Sequence, residues 1–509
     1  MLGYLKRLLR TGAAYQAADI VAKSIAVITL PLYTRHVSRG EYGAYNTLLT
    51  SVILASIFLR MGVGEAFIRF YFTDSDAARR ARIARTATAT VAWTTTLAAL
   101  LALAFAGPLS QLLLGFRDTE LLDCAVLGLW AFTNLEMAYA QLRVDERARA
   151  YMFASGANVA LTVIFTVTLV IFAGEGARGL LLGNFGASAL VVLGLWWALR
   201  RRFSLRVRPT DLRAMLRFGL PTVPADASVY ALQVVDRLYV FRAYSHAAAG
   251  EYSIALQLAT VVFVFVRGFQ YAWPPLAYSV QSDREAARLY SLVTTYFVLG
   301  TGAVVCGVAL LGRWMVRLLA APEYFGAHTA LPWLALGWTL YGLYQVLIVI
   351  TGRAQVTQRN LPPALAGLAV NVALLLLLVP ASGLGLGIAG AGLALCGAYV
   401  AMLAIMHLLT RNVFTVGFQW RRLAQLTAIL AGVAITGELL LPTAGLAGLV
   451  LRALWLLLIP ALLLLTRFFP PTERAQAGLL LSDGRRRIAA FRAGGGDVEA
   501  YAEDPLRDL

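Results

Sequence analysis

Apolar stretches of about twenty residues, the length that a membrane-spanning helix needs, recur along the whole chain. Two of them are "LPPALAGLAVNVALLLLLVP" and "GLAGLVLRALWLLLIPALLLLT". The composition agrees with this pattern, because 59% of the residues are hydrophobic and 14% are charged, whereas soluble domains carry about 25% charged residues. The sequence therefore predicts an all-α polytopic membrane protein.

Hydropathy divides the chain into about fourteen predicted spans, numbered one to fourteen below. We place them near residues 13–34, 44–64, 84–106, 121–142, 151–173, 179–199, 214–240, 251–270, 287–310, 329–351, 361–380, 388–410, 423–442 and 446–466. If the N-terminus is inside, most of the 44 Lys and Arg residues fall on cytoplasmic segments. We therefore interpret the net charge of +17 as a signal of orientation, with both termini cytoplasmic, and not as a nucleic-acid surface.

The chain contains an internal repeat. "LRTGAAYQAAD" begins at Leu9 and "LRFGLPTVPAD" begins at Leu216, an offset of 207 residues. A second shared motif, G-E-Y, has an offset of 210 residues, so the second copy gained three residues before it. Six residues of this motif are expected to be structural: Gly40, Glu41, Tyr42, Gly250, Glu251 and Tyr252.

This repeat predicts two parallel six-helix units, since an even number of spans gives both copies the same orientation. The expected organisation is a first lobe at 1–200, a basic cytoplasmic linker at 201–212, and a second lobe at 213–411. Spans thirteen and fourteen follow at 412–468, and a polar cytoplasmic tail that we expect to be disordered at 469–509.

Charged residues inside predicted spans are the candidate functional residues, because each costs about 2.5–3.5 kcal/mol near the bilayer centre. The candidate cations lie in spans one, two, seven and eight, which are equivalent in the two copies: Lys23, Arg60, Arg237 and Arg267. Substrate sites of repeat-built transporters lie between the repeats. We expect these cations to form a cavity for an anionic headgroup, phosphate above all, which Arg binds in bidentate fashion.

Four acids inside spans are candidates for the cavity wall or for coupling to H⁺ or Na⁺: Asp19, Asp226, Asp236 and Glu136. A structural interpretation stays open for several of the charges. Asp19 and Lys23 are spaced to neutralise each other on one helix face, and Arg60 and Arg267 lie near helix ends from which they could reach the interface.

Motifs for enzymatic chemistry are absent from the sequence. Cys124, Cys306 and Cys396 lie in hydrophobic segments without metal or redox spacing. Paired catalytic carboxylates, nucleophile motifs and phosphate-binding glycine loops are not found either. We therefore expect no enzyme, no metal site and no bound cofactor.

Several segments resemble Wzx-type polysaccharide flippases of the multidrug/oligosaccharidyl-lipid/polysaccharide exporter superfamily. They include "LPLYTRHVSRGEYGAYNTLL", "VPADASVYALQVVDRLYVFRAYSHAAAGEYSIALQLA" and "FQYAWPPLAYSV". The resemblance implies two six-helix lobes in a V, two further helices, and alternating access in a bacterial cytoplasmic membrane. It also implies an undecaprenyl-pyrophosphate-linked oligosaccharide as substrate, with a glycan polymerase and glycosyltransferases as candidate partners.

Two other functions remain open from the sequence. A multidrug or cation antiporter of the same superfamily would have an acid-dominated cavity, which the cation-rich spans disfavour. A membrane-embedded glycan polymerase or ligase would need catalytic residues in outer loops, and these loops are short.

Overall fold

The computed structural model describes residues 25–471, apart from residues 26, 74–75, 146, 201–205, 281 and 355. The described ranges consist of helices and connecting turns and contain no strand. The predicted all-α polytopic class is confirmed. Nearly all of the predicted tail lies outside the described residues.

The α-helices are numbered in chain order. Those before residue 200 are α1 Leu30–Thr34, α2 Arg39–Arg60, α3 Val63–Thr73, α4 Ala77–Ala104, α5 Ala106–Leu114, α6 Thr119–Val144, α7 Ala148–Val167 and α8 Gly176–Ala198. Those that follow are α9 Pro209–Gly219, α10 Val223–Tyr239, α11 His246–Ser279, α12 Asp283–Leu319, α13 Leu331–Arg353, α14 Leu361–Leu378, α15 Gly387–Thr410, α16 Trp420–Leu440, α17 Gly445–Trp455 and α18 Leu458–Leu465.

Twelve helical segments of the described residues are long and apolar enough to cross a membrane. They correspond to predicted spans two to six and eight to fourteen. Most of span one lies outside the described residues, and the helix of span seven, α10, has 17 residues. The count of fourteen therefore stays a prediction.

The two copies of the G-E-Y motif begin their helices differently. Ser38 and Glu41 form a reciprocal capping box at the start of α2, so Gly40 lies in the first turn. In the second copy, the side chain of Ser245 caps α11, and Gly250 lies one turn further into the helix. The three residues gained in the second copy thus extend this helix at its N-terminus.

Helix α2 of the predicted first lobe contacts helices of the predicted second lobe. Within the first lobe, α6 packs against α4 and α8, and within the second, α15 packs against α13 and α14. Across the lobes, α2 packs against both α10 and α11. We call the end of the bundle where α2 begins the predicted outer end, and the opposite end the predicted cytoplasmic end.

Hydroxyl and amide side chains connect α4 to α6 inside the first lobe. Asn134 Nδ2 donates to Thr95 Oγ1 at 2.9 Å, and Trp130 Nε1 donates to Thr96 Oγ1 at 3.2 Å. Such bonds hold helices together where lipid gives no hydrophobic drive for association.

Predicted spans thirteen and fourteen pack against α12. The apolar part of this contact includes Cys306, Leu310, Leu426, Leu430, Val433, Ile459 and Leu463. Glu438 on α16 pairs with Arg452 on α17 at 2.5 Å and with Arg313 on α12 at 2.6 Å. Arg452 is fully buried and also donates to the carbonyl groups of Pro442 and Leu441. These helices are therefore anchored to the second lobe by an ion network as well as by packing.

Two short helices interrupt the paths predicted for spans two and seven. Span two was predicted to end near residue 64, but Met61 and Gly62 have φ values of 48° and 66°, so α2 ends and the chain turns into α3. Span seven was predicted to begin near residue 214, but α9 and a 3₁₀ turn at Leu220–Thr222 precede α10.

Candidate functional site: a polar cavity between the lobes

A cavity of about 370 Å³ lies where the first lobe meets α11 of the second lobe. Its walls come from residues before and within α1, from α2, α7 and α8, and from α11. The lining residues are Ile25, Val27, Thr29, Tyr33, Tyr42, Tyr45, Asn46, Leu49, Asn158, Val159, Thr162, Val163, Thr166, Leu180, Asn184, Gln257 and Thr260. Because the α2 residues belong to its first half, the cavity lies toward the predicted outer end.

The polar groups of this lining are hydroxyls and amides, and none of these lining residues is charged. Tyr42 Oη donates to Gln257 Oε1 at 2.7 Å, a hydrogen bond that crosses from one lobe to the other. Tyr33 Oη and Thr166 Oγ1 are 3.1 Å apart. The lining can bind a polar, uncharged ligand through many hydrogen bonds.

The lobes contact each other at the predicted outer end. Arg39 at the start of α2 forms an ion pair with Glu251 on α11 at 2.8 Å. Tyr324, in the turn between α12 and α13, donates to the carbonyl of Val37 at 2.8 Å. Burial raises the pKa of this tyrosine above its ordinary value, so its hydroxyl keeps the proton that it donates.

The lobes also contact each other at the predicted cytoplasmic end. Helix α9, which leads into the second lobe, packs against α3 of the first. Gly62 and Gly219 touch through their backbones, and the rings of Phe70 and Phe218 meet edge to face with centroids 6.2 Å apart. The two lobes are therefore in contact on both sides of the cavity.

Of the four predicted cavity cations, Arg237 lies beside the cavity wall. Its guanidinium is within electrostatic range of Tyr42 and Tyr45, which both line the cavity. Its Nε is buried without a hydrogen-bond partner among the described residues. Lys23 lies outside the described residues, just before the first lining residue, Ile25.

The other two predicted cations are not among the lining residues. Arg60, at the last position of α2, folds back on its own helix, where its Nε donates to the carbonyl of Ser56 at 3.3 Å. Arg267 is exposed on α11 and lies over the ring of Phe263, 5.0 Å from its centroid. The cavity lining is thus hydroxyl- and amide-rich, with one described cation of the predicted set next to it.

Among the predicted acids, Asp236 lies in the core of the second lobe. It is 1% exposed, and its Oδ2 accepts a hydrogen bond from Tyr252 at 3.1 Å. Its Oδ1 has no hydrogen bond of ordinary geometry with the described residues, although the side chain of Asn371 lies beside the carboxyl. Asp236 and Arg237 face different surroundings, as adjacent helical positions about 100° apart must.

The remaining acids give less information. Glu136 is half-buried on α6 and forms no ion pair with another described residue. Asp19 and the side chain of Asp226 lie outside what the structure describes.

The matched residues of the repeat have different contacts in the two copies. Glu41 caps its own helix, whereas Glu251 pairs with Arg39 of the other lobe. Tyr42 reaches the cavity, whereas Tyr252 binds Asp236 inside the second lobe. The two copies have therefore acquired separate local roles at equivalent positions.

Four amide residues of the cavity were missed in the sequence because they are uncharged: Asn46, Asn158, Asn184 and Gln257. Each is an amide within a predicted apolar span, which is itself a signal, since polar groups inside the membrane are expensive. The three cysteines are buried and free. No group of three or more His, Cys, Asp or Glu residues within the described ranges is placed to hold a metal ion.

Comparison with known proteins identifies relatives of this chain. A family model described as "Polysaccharide biosynthesis protein" matches residues 32–329, which is more than half of the chain. Lsg locus protein 1 from Haemophilus influenzae is 21% identical over 297 residues, which cover 55% of this chain and 68% of that protein.

Solved structures share the fold. The lipid II flippase MurJ in an inward closed conformation matches with a TM-score of 0.71 at 14% identity, over 89% of this chain and 98% of that one. An inward-facing multidrug resistance MATE transporter of the MOP superfamily matches with a TM-score of 0.61 at 14% identity, over 79% of this chain and 96% of that one. At this identity the likeness shows a common architecture.

Proposed function

The chain belongs to the polysaccharide biosynthesis protein family, and on that premise we propose that it is a flippase for a polyprenyl-pyrophosphate-linked oligosaccharide. It carries this lipid across the bacterial cytoplasmic membrane for the synthesis of a surface polysaccharide. A glycan polymerase and glycosyltransferases are its proposed partners.

The observation that carries this proposal is the polar cavity between two lobes that touch at both ends. A sugar–pyrophosphate headgroup cannot cross hydrocarbon unaided, because removing one small ion from water costs on the order of 20 kcal/mol in the idealised limit. Each unsatisfied hydroxyl adds a few kcal/mol more. A cavity lined with hydroxyls and amides replaces part of the lost water, while the polyprenyl tail stays in the lipid.

Alternating access follows from the two interlobe contacts. Opening the Gly62–Gly219 contact would admit the headgroup from the cytoplasm, and opening the Arg39–Glu251 contact would release it outside. Arg237, beside the cavity, and Lys23, in the same span as its first lining residue, are the proposed phosphate-binding cations. Arg60 and Arg267 would attract the headgroup earlier, as it approaches the cavity from the cytoplasm.

Asp236 is the acid best suited to couple transport to H⁺ or Na⁺. It is buried in the second lobe with one carboxylate oxygen without a hydrogen bond of ordinary geometry. A small gap beside it is lined by Leu256, Trp338, Leu395 and Tyr399. Asp236 and Arg237 lie on the same helix, α10, so a change in the charge of Asp236 would act directly on that helix.

The proposed organisation keeps the domain limits predicted from the sequence, with both termini in the cytoplasm. Residues 1–200 and 213–411 form the moving lobes, and residues 201–212 join them on the cytoplasmic side. Residues 412–468 move together with the second lobe, because α16 and α17 are attached to α12.

A multidrug antiporter is the alternative that the MATE-like fold raises. A cationic drug needs an acid in its site, whereas no lining residue of this cavity among those described is acidic. The polar, uncharged lining favours a saccharide.

The test is export of surface glycan by cells in which the double variant Lys23→Gln/Arg237→Gln replaces the wild-type protein. We expect loss of surface glycan and accumulation of complete lipid-linked units facing the cytoplasm, with protein level and membrane insertion unchanged. Arg411→Gln, at an exposed position outside the cavity, is the matched control and should export normally.

Full export by the double variant would refute the cation assignment. Lipid-linked single units delivered to the outer face after depletion of the wild-type protein would instead indicate a polymerase.

A further inference from the structure

The candidate phosphate-binding cation is not part of the described cavity lining. Arg237 lies within electrostatic range of Tyr42 and Tyr45, yet it is not one of the residues that line the cavity. A pyrophosphate inside the cavity would face hydroxyls and amides without a described cation at the surface. This arrangement suits a neutral ligand.

We propose that the cavity is a glycan subsite, which binds neutral sugar units of the cargo and leaves the pyrophosphate outside it; this rests on the proposed flippase function. Its volume of about 370 Å³ lies near the lower end of the range of about 300–1,000 Å³ for small-molecule pockets. The cavity therefore accommodates a small part of an oligosaccharide, and it selects cargo by the identity of that part.

Two amides, Asn158 on α7 and Asn184 on α8, are the specificity-determining residues of this subsite. Ser188 Oγ donates to Asn158 Oδ1 at 3.3 Å, and Asn184 Nδ2 donates to Tyr45 Oη at 3.5 Å. Among the described residues, no hydrogen bond engages Asn158 Nδ2 or Asn184 Oδ1. The pair thus offers one donor and one acceptor, the combination that a sugar hydroxyl, itself both donor and acceptor, can satisfy.

Aromatic rings supply the other half of sugar recognition. Tyr42 and Tyr45 are neighbours with ring centroids 5.9 Å apart, and both line the same cavity as the amides. The ring faces present flat apolar surface to the C–H face of a sugar, while their hydroxyls take part in hydrogen bonds. Pockets that combine apolar walls with a few placed polar groups are the usual form of small-molecule sites.

The experiment measures binding to the purified full chain in lipid nanodiscs with two probes. One probe is the lipid-linked saccharide fraction extracted from the cells that make this protein, and the other is synthetic polyprenyl pyrophosphate without sugar. The variant Asn184→Leu keeps the side-chain volume but removes the amide. We expect its affinity for the saccharide probe to fall about tenfold, with affinity for the sugar-free probe unchanged.

Two further variants separate the subsite from the phosphate site and from general damage. Arg237→Gln should weaken binding of both probes, because both contain pyrophosphate. Asn412→Leu removes an exposed amide outside the cavity and should change neither affinity. Thermal unfolding of each variant checks that the fold is retained.

The outcomes distinguish failure of the glycan subsite from failure of the proposed flippase function. If Asn184→Leu binds both probes as the wild type does, or weakens both equally, the glycan subsite is overturned while the flippase proposal stands. If the wild type binds the two probes with equal affinity, the cavity does not recognise sugar, and the subsite is again overturned. If the wild type binds neither probe, the proposed function itself fails.

Discussion

Gly62 and Gly219 approach so closely that a Cβ placed on either residue would overlap the backbone of the other. Gly62 is the turn residue between α2 and α3, and Gly219 is the last residue of α9. Only the missing side chains allow the first and second lobes to meet here, at the predicted cytoplasmic end.

Gly219→Ala should therefore disfavour the closed conformation of this end. The backbone of Gly219 has a φ of −82°, which alanine adopts without strain, so the effect comes from the overlap with Gly62. Overpacking of this kind costs about 1–3 kcal/mol, which changes a closed-to-open ratio by roughly 5- to 150-fold. Cysteine-labelling from the cytoplasmic side of a residue introduced into the cavity should become faster, and export should fall.

Gly64→Ala is the matched control for this prediction. Gly64 lies two residues from Gly62, and nothing lies within 4 Å of the position that its Cβ would occupy. Labelling and export should match the wild type. Equal behaviour of the two alanine variants would mean that the contact does not open during transport.

The Arg39–Glu251 ion pair should hold the lobes together at the predicted outer end. The Arg39 side chain is 40% exposed and that of Glu251 is 16% exposed, so the pair contributes about 0.2–1 kcal/mol. Arg39→Glu places two carboxylates together, and we expect faster labelling of the cavity from outside. The swapped variant Arg39→Glu/Glu251→Arg should restore the wild-type rate.

Arg178 and Glu120 form an ion pair within the first lobe. This pair provides the control for the charge reversal at Arg39. Reversing either charge there should leave the labelling rate unchanged. A swapped Arg39/Glu251 variant that labels as fast as the single reversal would show that the pair does not hold the lobes together.

The sequence predicted the helical class and the family, because each depends on patterns spread over many residues, and the two-lobe organisation inferred from the repeat stays a prediction. Length and hydropathy alone identified the spans that the structure describes. The G-E-Y repeat even located the helices α2 and α11 that meet between the lobes. Helix ends were harder, because the turn at Met61 and Gly62 depends on a close contact with Gly219, more than 150 residues away in the chain.

The candidate site was predicted only in part. Intramembrane charge directed attention to Arg237 and Asp236, which the structure places in different surroundings although they are adjacent in sequence. A search for charged residues could not identify Asn158 or Asn184, which are uncharged. They become candidates only because α7 and α8 bring them together in the lining of one cavity. The structural role expected for Tyr42 and Tyr252 remains a prediction. The Tyr42 hydroxyl donates to Gln257 in the cavity, and the Tyr252 hydroxyl donates to the buried Asp236.

Glu438→Gln should weaken the attachment of α16 and α17 to the second lobe. Glu438 is shared by Arg313 and the fully buried Arg452, so its loss leaves a buried cation uncompensated. Breaking a buried pair costs about 3–5 kcal/mol, and the partial exposure of Glu438 reduces this to roughly 2 kcal/mol. Thermal unfolding in detergent should show a lower midpoint, whereas Glu120→Gln, which removes an exposed acid, should not. An unchanged midpoint for Glu438→Gln would contradict the anchoring role.

Asp236→Asn should uncouple transport from the ion gradient without unfolding the protein. Asparagine has the shape of aspartate and still accepts the hydrogen bond from Tyr252, so packing in the second lobe is kept. It cannot gain or lose charge, so a H⁺ or Na⁺ gradient loses its effect. In proteoliposomes loaded with lipid-linked saccharide, imposed gradients of either ion should accelerate the wild type and leave Asp236→Asn at the rate without a gradient. Asp123→Asn, at an exposed acid on α6, should respond as the wild type does, and a full gradient response by Asp236→Asn would assign the coupling to another acid.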